Sequence, residues 1–206
     1  TFMNYRTKTI RKEATHMKST NRIAALFLGF VTALATAGPA MAQSATALPR
    51  VRVLATGGTI AGAQASSTDY GYKSGAYDVN TLINAVPNLG KLAQISGEQV
   101  ASIGSQDMND EVWLKLAKRL NAVLASADTD AVLITHGTDT LEETSYFLSL
   151  VTRSDKPVVM VGSMRPATAT SADGPANIYN GVAVAVSPKA KGRGTVVALN
   201  DEFHYA

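Results

Sequence analysis

From Val51 onwards, strand-like apolar runs alternate with helical segments, and this alternation limits the possible folds more than any other feature. The run at 131–135 is apolar throughout, as is typical of a strand buried on both faces of a sheet. Strands separated by helices run parallel, joined by right-handed crossovers that place helices on both faces. We therefore expect an α/β domain with a mostly parallel sheet flanked by helices.

Capping residues, prolines and glycines indicate where the predicted helices and strands begin and end. Asp78 and Asn109 are predicted N-caps, and Pro175 suits the first turn of a helix. Asp139 with Glu142 three residues later predicts a capping box. The predicted strands are 51–55, 93–103 (as one or two strands), 131–135, 157–161 and 194–199, the helices 79–85, 110–125, 140–151 and 175–186, and the long loops 62–77 and 162–173.

Charge is distributed unevenly along the 206 residues. The net charge is +3, yet residues 1–42 hold six of the 19 basic groups and one of the 16 acids. Residues 43–206 therefore carry 13 basic and 15 acidic groups, a net charge of −2. A body so close to neutral lacks the basic surface that nucleic-acid backbones require, so we expect no nucleic-acid partner.

Residues 17–42 have the pattern of a signal peptide. A short basic region begins at Met17, the apolar run 23–37 follows, and Ala40-Met41-Ala42 is a small-x-small cleavage pattern. The run is short for a membrane span, although a membrane anchor is the alternative. We expect export to a bacterial periplasm, no membrane association after cleavage, and a non-native upstream extension at residues 1–16.

Hydroxyl groups and glycines concentrate where the predicted strands end. Ligands bind beyond the carboxyl ends of parallel strands, so these loops are the candidate site. Glycines let backbone N–H groups approach a ligand, and the helix N-termini that follow favour negative charge. The set indicates a small substrate with a carboxylate and an anionic tetrahedral intermediate, and its loops are 56–59, 104–107, 135–139 and 162–165.

Other readings of these loops remain open. A Thr-Gly-Gly-Thr turn also occurs without function or against phosphates, but neither G-x-G-x-x-G nor G-x-x-x-x-G-K-[ST] is present. Asp139 is also explained as an N-cap alone. His136 is interpreted as structural because a metal site needs several converging ligands, so we expect no metal and no cofactor. Tyr70 and Tyr72 are either surface aromatics or part of a lid that excludes water. The absence of cysteine excludes disulfide scaffolds and thiol nucleophiles.

Several motifs resemble those of bacterial type II L-asparaginases and glutaminase-asparaginases. The stretches 54–62 (LATGGTIAG) and 134–143 (ITHGTDTLEE) are similar to the two active-site signatures of that family, in the right order. Further matching stretches are GEQV at 97–100, GSQDMND at 104–110, KPVVMVG at 156–162 and SADGP at 171–175. The resemblance implies that residues 43–206 are a Rossmann-like N-terminal asparaginase domain, with the C-terminal domain missing.

The resemblance also implies roles for individual residues. Thr59 matches the nucleophile, Tyr72 the lid tyrosine bonded to it, Thr138 the second catalytic threonine and Asp139 the adjacent acid. The implied substrate-binding residues are Gly58, Ser105, Gln106, Thr138, Asp139 and Ser163, the last through its backbone. A threonine hydroxyl is a weak nucleophile that needs a base or a polarising network. Backbone N–H groups of Gly58 and Thr138 are candidate oxyanion donors, each worth about 3 kcal/mol.

The family lysine beside the acid lies in a segment expected just after Ala206. The resemblance further implies a homotetramer in which a neighbouring subunit completes each site. We therefore expect the 206-residue polypeptide to be an inactive N-terminal part of an active, exported enzyme. That enzyme hydrolyses L-asparagine to L-aspartate and ammonia through a threonine ester, with possible side activity on L-glutamine. The alternatives are a non-catalytic periplasmic amino-acid-binding module and, more distantly, a nucleotide-binding protein.

Overall fold

The structure, a computed structural model, describes residues 47–206. The expected upstream extension at residues 1–16 and the signal peptide at 17–42 lie outside the described residues. Within 47–206, every helix is too short or too polar to cross a bilayer.

A six-stranded sheet forms the centre of the domain, and two further strands, β2 and β3, form a separate hairpin. The strands are β1 (Arg50–Gly57), β2 (Ala63–Gln64), β3 (Tyr72–Lys73), β4 (Gln94–Ile103), β5 (Ala131–Thr135), β6 (Val158–Val161), β7 (Thr195–Leu199) and β8 (Glu202–Tyr205). The helices are α1 (Val79–Asn84), α2 (Asp110–Ala125), α3 (Leu141–Val151) and α4 (Gly174–Ala185). The sheet order is β4-β1-β5-β6-β7-β8, parallel except for β8, which pairs antiparallel with β7. The expected α/β fold with a mostly parallel sheet is confirmed.

The helices cover both faces of the sheet and create two apolar cores. One core joins α1 and α4 to side chains such as Val53 and Leu133, and the other joins α2 and α3 to Leu54 and Ile134. Adjacent residues of β1 and β5 thus enter opposite cores, as the two-residue period of a strand requires. This double coverage explains the continuous apolar runs of the central strands.

Two predicted caps are confirmed and one is wrong. The carboxylate of Asp78 accepts the N–H of Thr81 at 2.8 Å, and the amide oxygen of Asn109 accepts the N–H of Val112 at 3.2 Å. Asp139 forms no capping box, because α3 begins one residue later with Thr140 at the N-cap position and no side-chain cap bond. The Asp139 carboxylate is engaged by a residue from another loop instead.

Three short strands differ from the sequence prediction. The predicted loop 62–77 contains the hairpin of β2 and β3, and the segment after β7 returns as β8. Asn200 and Asp201 connect β7 to β8 with φ of 54° and 61°, the conformation of a two-residue hairpin turn. All four residues of β8 are exposed, so no buried face marks this strand in the sequence.

The sheet order places a crevice at the end of β1. From β1 the chain moves through α1 to β4 on one side, then crosses through α2 to β5 on the other side. Loops that leave a sheet in opposite directions open a crevice at its carboxyl edge, where ligands bind. The loops after β1, β4 and β5 meet there.

Candidate active site

Thr59 lies immediately beyond β1. Gly57 and Gly58 have φ of 110° and 80°, which turn the chain sharply into a 3₁₀ helix, Thr59–Ala61. The side chain of Thr59 is nearly buried, with 9% of the residue exposed. Its Oγ1 is 2.7 Å from Oη of Tyr72, and either hydroxyl can be the donor.

The β2–β3 hairpin carries Tyr72 to Thr59. Its ring packs so closely on Gly62 that a side chain there would collide with it. Tyr70, two residues earlier, is fully exposed, so the structure pairs Tyr72 and not Tyr70 with the threonine. The hairpin is itself tied to the loop after β6, because the N–H of Gln64 donates to Oγ1 of Thr168 at 2.9 Å.

Ser105 and Asp139 form a second pair, across the loops that follow β4 and β5. Oγ of Ser105 donates to Oδ2 of Asp139 at 3.1 Å and accepts the N–H of Asp139 at 3.1 Å. The hydroxyl of Thr140 donates to the carbonyl of Ser105 at 3.0 Å. Ser105 is buried and Asp139 is exposed, so Asp139 remains accessible to solvent while Ser105 holds its carboxylate and its backbone N–H.

Glycines bring these two pairs together. A side chain on Gly58 would collide with the backbone of Gly137, and one on Gly137 would meet Oγ of Ser105. Gly162 in turn lies against the methyl group of Thr138. The loops after β1, β4, β5 and β6 therefore pack closely against one another. Thr138, in the loop after β5, contacts the loop after β6.

Gly58, an expected oxyanion donor, has its N–H engaged by a neighbouring strand in this structure. Its N–H donates to the carbonyl of Ile103 at 2.8 Å, which satisfies that group within the sheet. The N–H of Thr59 opens a 3₁₀ helix and so has no acceptor within that helix. The N–H of Thr138 donates to no residue from 47 to 206. The N–H groups of Thr59 and Thr138 therefore have no backbone acceptor among residues 47–206.

His136 is buried, which favours the neutral form of its imidazole. It has no exposed surface, and its Nδ1 lies 2.7 Å from the carbonyl of Gly137. Burial lowers the pKa of the imidazole, outweighing the hydrogen bond to Gly137 that raises it. Its Nε2 has no partner among residues 47–206. In the same range, no three side chains of the metal-binding types converge on a common point.

The remaining expected site residues contact neither pair through a hydrogen bond. Gln106 is exposed, with its side chain folded over Gly104 and its Nε2 donating to Asp107 at 3.3 Å. Ser163 is fully buried, and its hydroxyl donates to the carbonyl of Arg165 at 2.8 Å. That bond engages the hydroxyl of Ser163 within its own loop.

Two polar residues near the site were not predicted from the sequence. Asp173 accepts backbone N–H groups of the loop that contains Ser163, and Asn177 donates to the carbonyl of Gly162. An aspartate just before Pro175 resembles an ordinary N-cap, and Asn177 within a helix carries no distinctive signal. Only the packing of α4 against the end of β6 shows their partners.

Comparison with known proteins gives consistent results. The family described as "Asparaginase, N-terminal" matches residues 50–206. "L-asparaginase 2" of Bacillus subtilis is 59% identical over 76% of this chain and 42% of its own length. "Probable L-asparaginase periplasmic" of Haemophilus influenzae is 58% identical over 77% of this chain and 45% of its own length.

A solved structure is also similar. The crystal structure titled "Probable Cytoplasmic L-asparaginase from Campylobacter jejuni" superposes with a TM-score of 0.74 at 54% identity, over 76% of this chain and 48% of that one. The chain thus spans about half the length of the curated relatives it matches, 42% and 45% for the two above.

Proposed function

Since the chain belongs to the asparaginase family, we propose that it supplies the nucleophile-bearing half of an enzyme that hydrolyses L-asparagine to L-aspartate and ammonia. The observation that carries the proposal is the 2.7 Å hydrogen bond between Thr59 Oγ1 and Tyr72 Oη at the end of β1. The hydroxyl of a threonine needs such a partner to react at neutral pH.

In the proposed reaction, Oγ1 of Thr59 attacks the side-chain amide carbon, and its proton passes through the Tyr72 hydroxyl towards the amide nitrogen. The tetrahedral intermediate then collapses with cleavage of the C–N bond, which releases ammonia and leaves an ester on Thr59. Water hydrolyses the ester, giving aspartate and restoring the hydroxyl. The scheme invokes no metal and no cofactor.

Negative charge on the tetrahedral intermediate requires donors already in position. We assign this role to the N–H groups of Thr59 and Thr138, replacing the N–H of Gly58, which the sheet occupies. Each such donor contributes about 3 kcal/mol in hydrolases where one has been removed.

The α-substituents of the substrate are assigned to the Ser105–Asp139 pair. The exposed carboxylate of Asp139 attracts the α-ammonium group, and Ser105 with Gln106 binds the α-carboxylate. Asp139 takes part in none of the ion pairs formed by residues 47–206, so its charge is available to a cationic ligand. Thr138, which precedes Asp139 in the chain and lies against Gly162, is assigned the role of the second catalytic threonine.

Selectivity for asparagine over glutamine is expected to be modest. The two substrates differ by one methylene, which a binding site distinguishes by only about 1–3 kcal/mol. The proposal therefore includes side activity on L-glutamine.

Location and assembly are also part of the proposal. The signal-peptide pattern of residues 17–42 and the periplasmic name of the Haemophilus relative support export, whereas the Campylobacter structure is titled cytoplasmic. N-terminal sequencing of the mature protein tests export, with Gln43 as the expected first residue. We propose a homotetramer on the family resemblance. We propose the inactivity of the 206-residue polypeptide on the same resemblance and because Asp139 has no ion-pair partner within residues 47–206.

Replacing Thr59 tests the chemistry. In the product of the complete gene, Thr59→Ala is expected to reduce ammonia release from asparagine by at least about 10³-fold, because the attacking oxygen is lost. Asparagine binding, measured by calorimetry, is expected to persist. The matched control is Thr152→Ala, which removes a hydroxyl bonded to Leu148 at the end of α3 and should leave the rate unchanged.

The same experiment separates the alternatives. Unchanged ammonia release by Thr59→Ala would remove this residue from its role. A wild-type protein that binds asparagine without releasing ammonia would instead be a binding module.

A further inference from the structure

Asp173 and Asn177 form a polar clamp behind the loop that follows β6. Asn177 lies in the first turn of α4 and is 3% exposed. Its Nδ2 donates to Oδ2 of Asp173 at 3.1 Å and to the carbonyl of Gly162 at 3.0 Å. Its Oδ1 accepts the N–H of Asn200 at 3.2 Å, so all the polar capacity of this buried amide is directed at loops.

The clamp fixes the backbone on both sides of Ser163. The carboxylate of Asp173 accepts the N–H of Met164 and that of Arg165, both at 2.9 Å. Asn177 holds the carbonyl of Gly162 on the other side. The clamp residues thus hold main-chain groups of residues 162, 164 and 165, while Ser163 between them is fully buried.

A planar trans peptide turns this clamp into a constraint on one oxygen. The carbonyl of Ser163 and the N–H of Met164 belong to the same peptide unit and point in opposite directions. Since the N–H points at Asp173, the carbonyl of Ser163 must point away from Asp173. Rotation of that carbonyl would break the bond to Asp173 and strain the neighbouring bond from Arg165.

We infer that Asp173 and Asn177 are positioning residues for the carboxamide end of the substrate, acting through the backbone carbonyl of Ser163. The inference rests on the proposed function and on the contact between the Ser163 backbone and the side-chain amide of the substrate that the family resemblance implies. The inference adds Asp173 and Asn177 to the residues of the site. Neither touches the substrate, and their effect is confined to its carboxamide end. The Asn177 bond to Asn200 further ties this loop to the turn between β7 and β8.

The test compares a ligand that has the carboxamide with one that lacks it. L-Asparagine and L-aspartate share their α-substituents, which the Ser105–Asp139 pair binds, but only asparagine has the amide NH₂. In the product of the complete gene, Asn177→Leu is expected to raise the KM for asparagine at least tenfold. The inhibition constant of L-aspartate is expected to change less than twofold.

Asn177→Asp tests the donor and the acceptor of the Asn177 amide separately. It keeps an acceptor for Asn200 and loses the donor to Gly162 and Asp173, so it should resemble Asn177→Leu. An Asn177 that served only to hold Asn200 would leave Asn177→Asp close to wild type, and that result would overturn the inference. Should Asn177→Leu fail to fold, Asp173→Asn, which keeps the side-chain shape and removes one acceptor oxygen, carries the same comparison.

Asn121 provides a matched control. Like that of Asn177, its Nδ2 donates to two acceptors, here the carbonyls of Ala117 and Val151, and its Oδ1 accepts the N–H of Arg153. Asn121 lies on α2, away from the site. Asn121→Leu should lower the thermal midpoint and leave both constants unchanged.

Equal effects of Asn177→Leu on the KM for asparagine and on the inhibition constant of aspartate, or no effect on either, would refute the positioning role. A wild-type protein without turnover would refute the proposed function instead.

Discussion

Single residues at the strand ends decide whether the loops can meet. Gly58 and Gly137 touch through their backbones, and any side chain on either would separate the loop bearing Thr59 from that bearing Thr138. The motif containing Gly58 predicts a tight turn, but the collision with Gly137, 79 positions away, follows only from tertiary packing. The same holds for the N–H of Gly58, which Ile103 of another strand occupies.

Burial of His136 predicts a pH-dependent stability. Because burial lowers the pKa of its imidazole, the folded state resists a proton that the unfolded state accepts near pH 6.5. The histidine's contribution is therefore complete above that pH and is lost as pH falls, by at most about 1.4 kcal/mol per pH unit. Urea titrations between pH 7.5 and 5.5 should show this slope in the wild type and a flatter one in His136→Asn.

The control for this prediction is His204→Gln, since His204 is exposed on β8 and its replacement should not remove the slope that the burial of His136 produces. Hydrogen bonds from Arg50 and Arg119 lower the pKa of Asp130 and Glu98, so these carboxyls lose their contribution only at more acidic pH. An identical slope in wild type and His136→Asn would show that the imidazole titrates freely.

At the scale of elements, periodicity and caps predicted what is local. The bounds of α2 and β5 agree with the prediction to the residue, because both have a buried face and clear end signals. The prediction failed where a side chain found a distant partner, as Asp139 did with Ser105. It also failed for β8, whose four exposed residues have no apolar face to mark them.

Close packing of α4 on the sheet predicts the effect of one methyl group. A Cβ at Gly181 would lie 2.6 Å from Cγ1 of Val161 and 2.7 Å from Cδ1 of Leu133. In Gly181→Ala, the higher helix propensity of alanine raises the free energy of unfolding by about 1 kcal/mol. Overpacking of the core lowers it by about 1–3 kcal/mol. Chemical denaturation should therefore show a destabilised variant.

Gly90→Ala is the matched control, because nothing lies within 4 Å of its added Cβ. Its free energy of unfolding should be unchanged or raised, by up to about 1 kcal/mol. A stabilised Gly181→Ala would mean that the helix can move off the sheet without loss.

The whole molecule brings together a nucleophile pair and an acid pair, but provides no cation beside the acid within residues 47–206. The Asp139 carboxylate receives the Ser105 hydroxyl and joins none of the ion pairs in that range. The sheet order explains the meeting of the two pairs, since β4 and β5 flank β1 and all three end at the same edge.

This arrangement predicts that the 206-residue polypeptide by itself does not hydrolyse asparagine, since no basic group within residues 47–206 pairs with Asp139. The purified polypeptide should release ammonia no faster than the buffer, whereas the product of the complete gene should be active. Asparagine turnover by the purified polypeptide would contradict the prediction. Circular dichroism should be recorded on the same sample, to show that it is folded.

The sequence alone determined the fold class, the central strands and the loops that hold the candidate site, because hydrophobic periodicity, caps and glycine-rich turns are local properties of the chain. Tertiary structure decided which hydroxyl faces Thr59, which backbone N–H groups remain free, and that Asp139 turns to Ser105 rather than capping α3. It also produced the Asp173–Asn177 clamp. Each of these depends on contacts between loops far apart in the chain, whose geometry is set by the order and register of the strands.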